Sequence, residues 1–415
     1  MPSTALDLAG RLLALFGLGG ILVASWLVTT GFSARRGGPY GGLLHDLGVA
    51  LSAAERRPAL IALGLCYLVV IGCGIAGALP RRPAIATLFV AQLLFALTAI
   101  TPGQDLFTYL GFARLQVVHS TNPYVQGLIA APSDPVFELA AGSWRRTTTP
   151  YGPLFTLITM AVAALPVTVA AWTLKAILAA ATFGCCALVA RIAHELGRDA
   201  TLAAVFVGLN PTVLVYTLGK GHTDGLMMLP VLIAILLIVR GRDLAAGALA
   251  VLGAGIKVTA AVMVPFLAIA ACNRRAIAIG VGAASLATAT ISYAVFGGDP
   301  FHVISSARRD QHLIRADLSF VGLIGRGLGV QLHDVADRWG IVIFAAAYLA
   351  VLIAALRRPG EWIRWSGWAI VALLASSGAL FPWYLMWVLP LAALAGDRIL
   401  QAATLVLTAA AITVI

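Results

Sequence analysis

Leu12-Leu-Ala-Leu-Phe-Gly-Leu-Gly-Gly-Ile-Leu-Val-Ala-Ser-Trp-Leu-Val-Thr-Thr30 runs without an ionisable side chain. That is the length of roughly 20 apolar residues that a helix needs to cross a bilayer. Similar runs lie at Pro58–Leu79, Ala84–Thr101, Leu202–Leu218, Leu226–Val239, Leu244–Ala271 and Ala276–Phe296. Others follow at Ile341–Leu356, Trp365–Leu380, Trp383–Ala395 and Ile399–Ile415, and Tyr151–Ala190 holds one or two more. About a dozen spans result, predicting an all-α polytopic membrane protein.

Composition agrees with the runs. Of 415 residues, 60% are hydrophobic and 11% charged, against about 25% charged in a soluble domain. Mean hydropathy is +0.95 and the pI about 9.9. The net charge of +11 sits in loops between apolar runs, which points to lipid headgroups or phosphates as partners and away from nucleic acid. The lysines are Lys175, Lys220 and Lys257; every other basic residue is arginine or histidine. Cys66, Cys73, Cys185, Cys186 and Cys272 lie in apolar runs and read as small core residues. The first run, after Arg11, ends without a small-residue cleavage site and reads as an anchor.

No stretch is polar and long enough for a soluble domain, so residues 1–415 read as one membrane domain. The longest polar stretches are Pro102–Pro150 and Gly297–Gly340. Arginine-rich short loops at Arg81–Pro83, Arg191–Ala200, Arg240–Asp243, Asn273–Arg275 and Arg357–Arg364 belong in the cytoplasm by the positive-inside rule. The opposite loops carry Arg35, Arg36, Arg56, Arg57, Arg145, Arg146, Arg308, Arg309 and Arg315, so the count alone does not orient the chain. The stronger argument is that this orientation gathers Asp105, His222, Asp224, Lys257, Arg308–Arg315 and Trp383–Tyr384 on one face. It requires Leu244–Ala271 to turn back near Gly255–Lys257. It also requires an odd number of crossings in Tyr151–Ala190, with Lys175 snorkelling outward.

Six stretches carry chemistry. Asp105 follows a span and is either a partly desolvated base or the cap of a short interfacial helix; Tyr109 shares its helical face. Asn122-Pro-Tyr124 reads as a turn ending that segment. Trp144-Arg-Arg-Thr-Thr-Thr-Pro-Tyr151 offers Arg145 and Arg146 either to a phosphate or to the headgroup layer. Lys220-Gly-His222-Thr-Asp224 is more polar than a solvated turn requires and favours function, although His222 and Asp224 are too few for a metal site. Lys257 has no carboxylate close in sequence, which favours a phosphate partner. Ser305–Arg315 is either a basic gate or a solvated interfacial helix, and Phe381-Pro-Trp-Tyr-Leu-Met-Trp387 either an aromatic belt or a surface on which sugars stack.

Together these stretches resemble the GT-C-fold, polyprenyl-phosphate-mannose-dependent α-(1→6)-mannopyranosyltransferases of actinobacterial cell envelopes. The resemblance rests on Gln104-Asp-Leu-Phe-Thr-Tyr109, Asn122-Pro-Tyr124 and Thr148-Thr-Pro-Tyr-Gly-Pro-Leu154. Asn210-Pro-Thr-Val-Leu214, Gly221-His-Thr-Asp-Gly225, Ile256-Lys257 and Pro382-Trp-Tyr-Leu-Met-Trp387 extend it. Where the family pattern has His-Asn-Asp, this chain has His222-Thr-Asp224.

The resemblance implies a GT-C-type bundle of about 11–13 helices with long extracytoplasmic loops. It implies transfer of a hexose, foremost mannose, from a polyprenyl-phosphate donor to a glycan or glycolipid acceptor, with inversion, at the outer face of the plasma membrane. Asp105 would be the general base. Lys220, Lys257, Arg145, Arg146 and Arg309 would face the lipid phosphate, with His222 and Asp224 on sugar hydroxyls. Tyr109, Asn122, Tyr124, Tyr151, Trp383 and Tyr384 complete the expected substrate contacts, and neither metal nor cofactor is called for. The competing expectations are a lipid-linked-sugar flippase or other transporter, and a related transferase using arabinofuranose or glucose.

Overall fold

The computed structural model describes residues 3–34, 38–48, 50–302, 319–330 and 333–413. Arg309 and the rest of the Arg308–Arg315 cluster, like Arg35 and Arg36, lie outside the described residues.

The chain is an all-α polytopic membrane protein. The first helices, α1 (Ser3–Ser33), α2 (Ala53–Ile75) and α3 (Arg81–Ala96), follow the first three apolar runs. Ser52 and Glu55 close a reciprocal capping box at the start of α2, which fixes where that span begins. The 102–150 stretch contributes α4 (Asp105–Val117) and short turns. Tyr151–Ala190 divides into α5 (Pro153–Ala163) and α6 (Val167–Glu195). α5 rises about 16 Å, well short of a hydrocarbon core of about 30 Å.

Leu202–Leu218 is not one straight span. It forms α7 (Ala200–Gly208) and a π-helical segment, Val213–Gly219, at 67° to it. The bend falls at Asn210-Pro211, where proline cannot donate to the helix ladder. Asn210 Oδ1 accepts from the Thr212 N–H (3.0 Å) and hydroxyl (2.7 Å), while its Nδ2 donates to Thr408 Oγ1 (3.1 Å). The Asn-Pro motif is therefore a buried joint.

α8 (Asp224–Val239) and α9 (Asp243–Ile256) follow. Lys257 leaves helical geometry (φ −148°, ψ 121°), Val258–Met263 is 3-10 helical, and α10 (Val264–Ala270) packs back on α9. Thus Leu244–Ala271 is a broken element with its break at Lys257. α9 packs closely on α11 (Arg274–Phe296), because a Cβ on Gly280 would lie 2.0 Å from the Leu244 carbonyl oxygen. Small residues allow such backbone contact between membrane helices.

The remaining helices are α12 (Phe320–Leu328), α13 (His333–Arg357), α14 (Trp362–Ser376), α15 (Leu385–Ala395) and α16 (Arg398–Thr413). The expected second loop, 297–340, therefore contains α12 and the start of α13. Among the described residues, five helices are long and apolar enough to span a membrane alone, six counting the bent pair as one. The other apolar runs form shorter helices ending in buried loops. Non-helical backbone at membrane depth is tolerated where protein covers it.

Lys175 does not snorkel. It is 2% exposed on α6, and its ammonium donates to the carbonyl and hydroxyl oxygens of Thr98, just past α3. α6 packs against α3, α4, α5, α7 and α8, so the aliphatic stem has no lipid face to follow.

Candidate functional site

A cavity of about 220 Å³ joins the 102–150 stretch, the break after α9 and the turn between α14 and α15. Asp105, Tyr151, Lys257, Trp383 and Tyr384 line it; Trp144, Thr259, Ser377 and Trp387 were not among the expected site residues.

Asp105 is the first residue of α4, and the preceding Gln104 makes no side-chain cap. The capping reading of Asp105 therefore gives way, since its carboxylate is directed elsewhere: Oδ2 lies 3.3 Å from His222 Nδ1. His222 is 3% exposed, and its ring stacks on Trp383 with centroids 3.7 Å apart and planes 12° apart. Trp383 in turn stacks on Phe381 at 4.6 Å. This arrangement fixes the imidazole plane by packing, with no hydrogen bond to either ring nitrogen among the described residues.

The Lys220–Asp224 segment is not a solvated turn. Gly221, His222, Thr223 and Asp224 are buried. Gly221 has φ +70°, a region other residues avoid, and a Cβ there would also meet Leu106 at 2.9 Å. Lys220 places its ammonium 4.4 Å from the Tyr216 ring centroid. Burial pulls the Lys220 pKa down, Asp105 opposing this and Arg56 adding to it.

Asp224 is fully buried at the start of α8. Its Oδ1 accepts from Lys257 Nζ at 2.9 Å and from Trp387 Nε1 at 2.6 Å. The carboxylate partner that the sequence around Lys257 lacks thus arrives from another helix. Lys257 also lies 4.6 and 4.9 Å from the ring centroids of Tyr384 and Trp387, favourable positions for a cation over aromatic faces. Asp224 Oδ2 and Thr223 Oγ1 have no hydrogen-bond partner among the described residues.

The Thr-Pro-Tyr-Gly-Pro stretch is tied to the same break. The Gly152 N–H donates to the Ile256 carbonyl at 3.0 Å, and a Cβ on Gly152 would lie 2.1 Å from the Gly255 carbonyl oxygen. Tyr151 is held edge-on to Tyr109 at 4.9 Å. The backbone contact brings Tyr151 and Lys257 to one cavity.

Other expected residues serve the scaffold around it. Asn122 accepts from the Tyr124 N–H and donates to the Phe296 carbonyl (2.8 Å) and Asp299 (3.0 Å), fastening the stretch to the end of α11. The Tyr124 hydroxyl bonds the Tyr151 carbonyl and Thr156. Arg145 is engaged with Glu138, the Ala140 carbonyl and the Phe137 ring, and Arg146 is exposed; neither lines the cavity.

Of the residues missed, Trp387 had a readable signal. On α15 it follows Tyr384 by three positions, the spacing that shares a helix face, and the two rings stack at 4.3 Å. Thr259 and Ser377 carry no such signal.

The sequence matches the family described as Alpha-(1->6)-mannopyranosyltransferase, N-terminal domain, over residues 8–273. It is 30% identical over 183 residues to alpha-(1->6)-mannopyranosyltransferase A of Corynebacterium glutamicum, covering 43% of this chain and 36% of that relative. It is 30% identical over 188 residues to alpha-(1->6)-mannopyranosyltransferase A of Mycobacterium tuberculosis, covering 44% and 36%. The chain therefore spans little more than a third of each of these curated relatives in the match. No solved structure matches. The family match includes Asp105, Tyr151, His222, Asp224 and Lys257, four structural elements that converge on one cavity, and the chain belongs to the α-(1→6)-mannopyranosyltransferase family.

Proposed function

We propose that the protein transfers a mannosyl unit from a polyprenyl-phosphate donor to a glycan or glycolipid acceptor at the extracytoplasmic face, with inversion. The observation that carries this reading is the placement of Asp105 and Lys257 on one aromatic-walled cavity. A base and a cation across a confined space suit a displacement in which one side loses a proton and the other gains negative charge.

Asp105 takes the proton from the acceptor hydroxyl. The acceptor oxygen forms the new bond to the anomeric carbon as the bond to the donor phosphate oxygen breaks, and the lipid phosphate leaves with the electron pair. A phosphate needs no protonation to depart, so a second carboxylic acid is not required, unlike in glycosidases. Lys257 faces the departing phosphate, while Trp383 and Tyr384 offer ring faces to the sugar.

The test uses purified protein, radiolabelled polyprenyl-phospho-mannose and short α-mannoside acceptors, with Asp105→Asn in parallel. Transfer by wild type that falls at least ~10²-fold in the variant, as for loss of a general base, supports both reaction and residue. Undiminished transfer by Asp105→Asn removes Asp105 from the role.

A transport reading draws on the 67° bend after α7 and the break at Lys257, because discontinuous helices mark transporter sites. Donor movement across a vesicle membrane without sugar transfer is the result that favours it.

A further inference from the structure

A second cavity, of about 540 Å³, lies at the other end of α14 and α15. Leu373 and Ser377, at the C-terminal end of α14, line the Asp105 cavity, whereas Trp362 and Arg364, at its N-terminal end, line the second. α15 runs the opposite way, with Trp387 at the first cavity and Leu394 at the second. The fifteen residues of α14 separate the two by about 22 Å.

The wall of the second cavity is half apolar and half arginine, with Arg198, Arg364 and Arg398 against Glu361 and Asp397. Both acids are engaged. Asp397 Oδ2 accepts from Arg364 Nε at 2.8 Å and Trp368 Nε1 at 3.1 Å, and its Oδ1 takes the Ile399 and Leu400 N–H groups. Glu361 pairs with Arg364 at 2.9 Å and Arg358 at 3.6 Å. Arg198 and Arg398 are left with no acidic partner among the described residues.

Arg198 is held in place from both sides. Its N–H donates to the Ala193 carbonyl at 2.8 Å, closing the end of α6, and Asp199 caps α7 directly after it. Its guanidinium lies over Gly396, where a Cβ would fall 1.9 Å from Nη1, and Gly396 itself has φ +64°. The turn between α15 and α16 therefore needs glycine both for its backbone and for the arginine lying across it.

We infer that this cavity binds the phosphodiester headgroup of an anionic phospholipid, with Arg198 and Arg398 on the phosphate and Leu196, Trp362 and Leu394 beside the glycerol and upper acyl chains. Guanidinium groups supply paired donors to phosphate oxygens, and basic pockets between membrane helices select anionic headgroups. The site is independent of the sugar-transfer reading, because no residue of the Asp105 cavity belongs to it.

Native mass spectrometry of the full-length protein in detergent tests this, using dioctanoyl-phosphatidylglycerol, dioctanoyl-phosphatidylcholine and inorganic phosphate as probes. Phosphatidylglycerol adducts are expected on wild type, few with phosphatidylcholine, and binding roughly tenfold weaker in Arg198→Gln/Arg398→Gln, as fits loss of two charge-assisted contacts. Arg275→Gln, an exposed arginine elsewhere, is expected to bind as wild type. Equal binding to wild type and the double variant, or equal loss in Arg275→Gln, overturns the site. Displacement of the lipid by equimolar inorganic phosphate overturns the headgroup assignment. Should the double variant lose its cooperative melt, the single variants decide, each expected to bind severalfold more weakly.

Discussion

His222 Nδ1 stands 3.3 Å from Asp105 Oδ2 while Trp383 covers the face of the same imidazole. The carboxylate is thus oriented by a ring that is itself held only by stacking and burial.

Replacing His222 by Gln keeps a polar side chain but removes the stacked ring. We expect kcat for sugar transfer to fall roughly 10–100-fold with a smaller change in KM, the signature of a displaced catalytic group. Trp383→Leu should move kcat in the same direction. Steady-state kinetics of both variants against wild type check this, and an unchanged kcat in His222→Gln removes the positioning role.

The Asp224–Lys257 pair predicts a second, separable behaviour. Lys257→Met leaves a fully buried carboxylate with Trp387 as its remaining donor, which should cost about 3–5 kcal/mol. Lys257→Met/Asp224→Leu removes both charges and should recover much of that loss without recovering transfer. Thermal unfolding in detergent, set beside activity, distinguishes the two effects. A double variant as unstable as the single one contradicts the pairing.

Gly152→Ala places a methyl group against backbone that cannot swing aside, 2.1 Å from the Gly255 carbonyl oxygen. Overpacking of this kind costs about 1–3 kcal/mol. Because Ile256 is bonded to Gly152 and precedes Lys257, transfer should suffer more than stability does. A melting curve and a kinetic run on the same preparation test this; full activity with a lowered melting temperature counts against coupling of the stretch to Lys257.

Asp134 gives a pH-dependent expectation. Burial alone would raise its pKa, but hydrogen bonds from Arg114, His119 and the Val136 N–H and the charge of Arg114 outweigh it and hold the carboxyl below its ordinary value. A carboxyl with a depressed folded pKa stabilises the protein above its unfolded pKa and loses that contribution as pH falls through the folded value. Asp134→Asn should therefore be less stable by about 1–3 kcal/mol at neutral pH, and the gap should close below pH ~4. Unfolding midpoints from pH 3 to 7 measure it; a gap that widens in acid contradicts the assignment.

Much of the architecture is readable because membrane spans announce themselves locally. The run Ala276–Phe296 lies within α11, and the glycines at 253 and 255 sit just before the break at Lys257. The convergence of Asp105, His222, Lys257 and Trp383 was likewise reachable from orientation, because all follow or precede spans on one face. What stayed hidden depends on which helices touch. Nothing near Lys257 names Asp224 as its partner, and nothing in α6 says that Lys175 meets Thr98. Arg145 and Asn122 have the chemistry of ligands, yet local contacts occupy them in the fold of the 102–150 stretch. A donor's type is written in the chain; its acceptor is chosen by packing.

Lys175 also bears on how the molecule is made. Its ammonium is satisfied by Thr98, a residue belonging to a hairpin synthesised earlier. A lysine left alone at the middle of a helix in lipid costs about 2.5–3.5 kcal/mol on insertion scales. The 167–195 helix therefore gains by leaving the translocon beside α3, already waiting in the bilayer. A single buried amine thus favours one order of helix association during biogenesis.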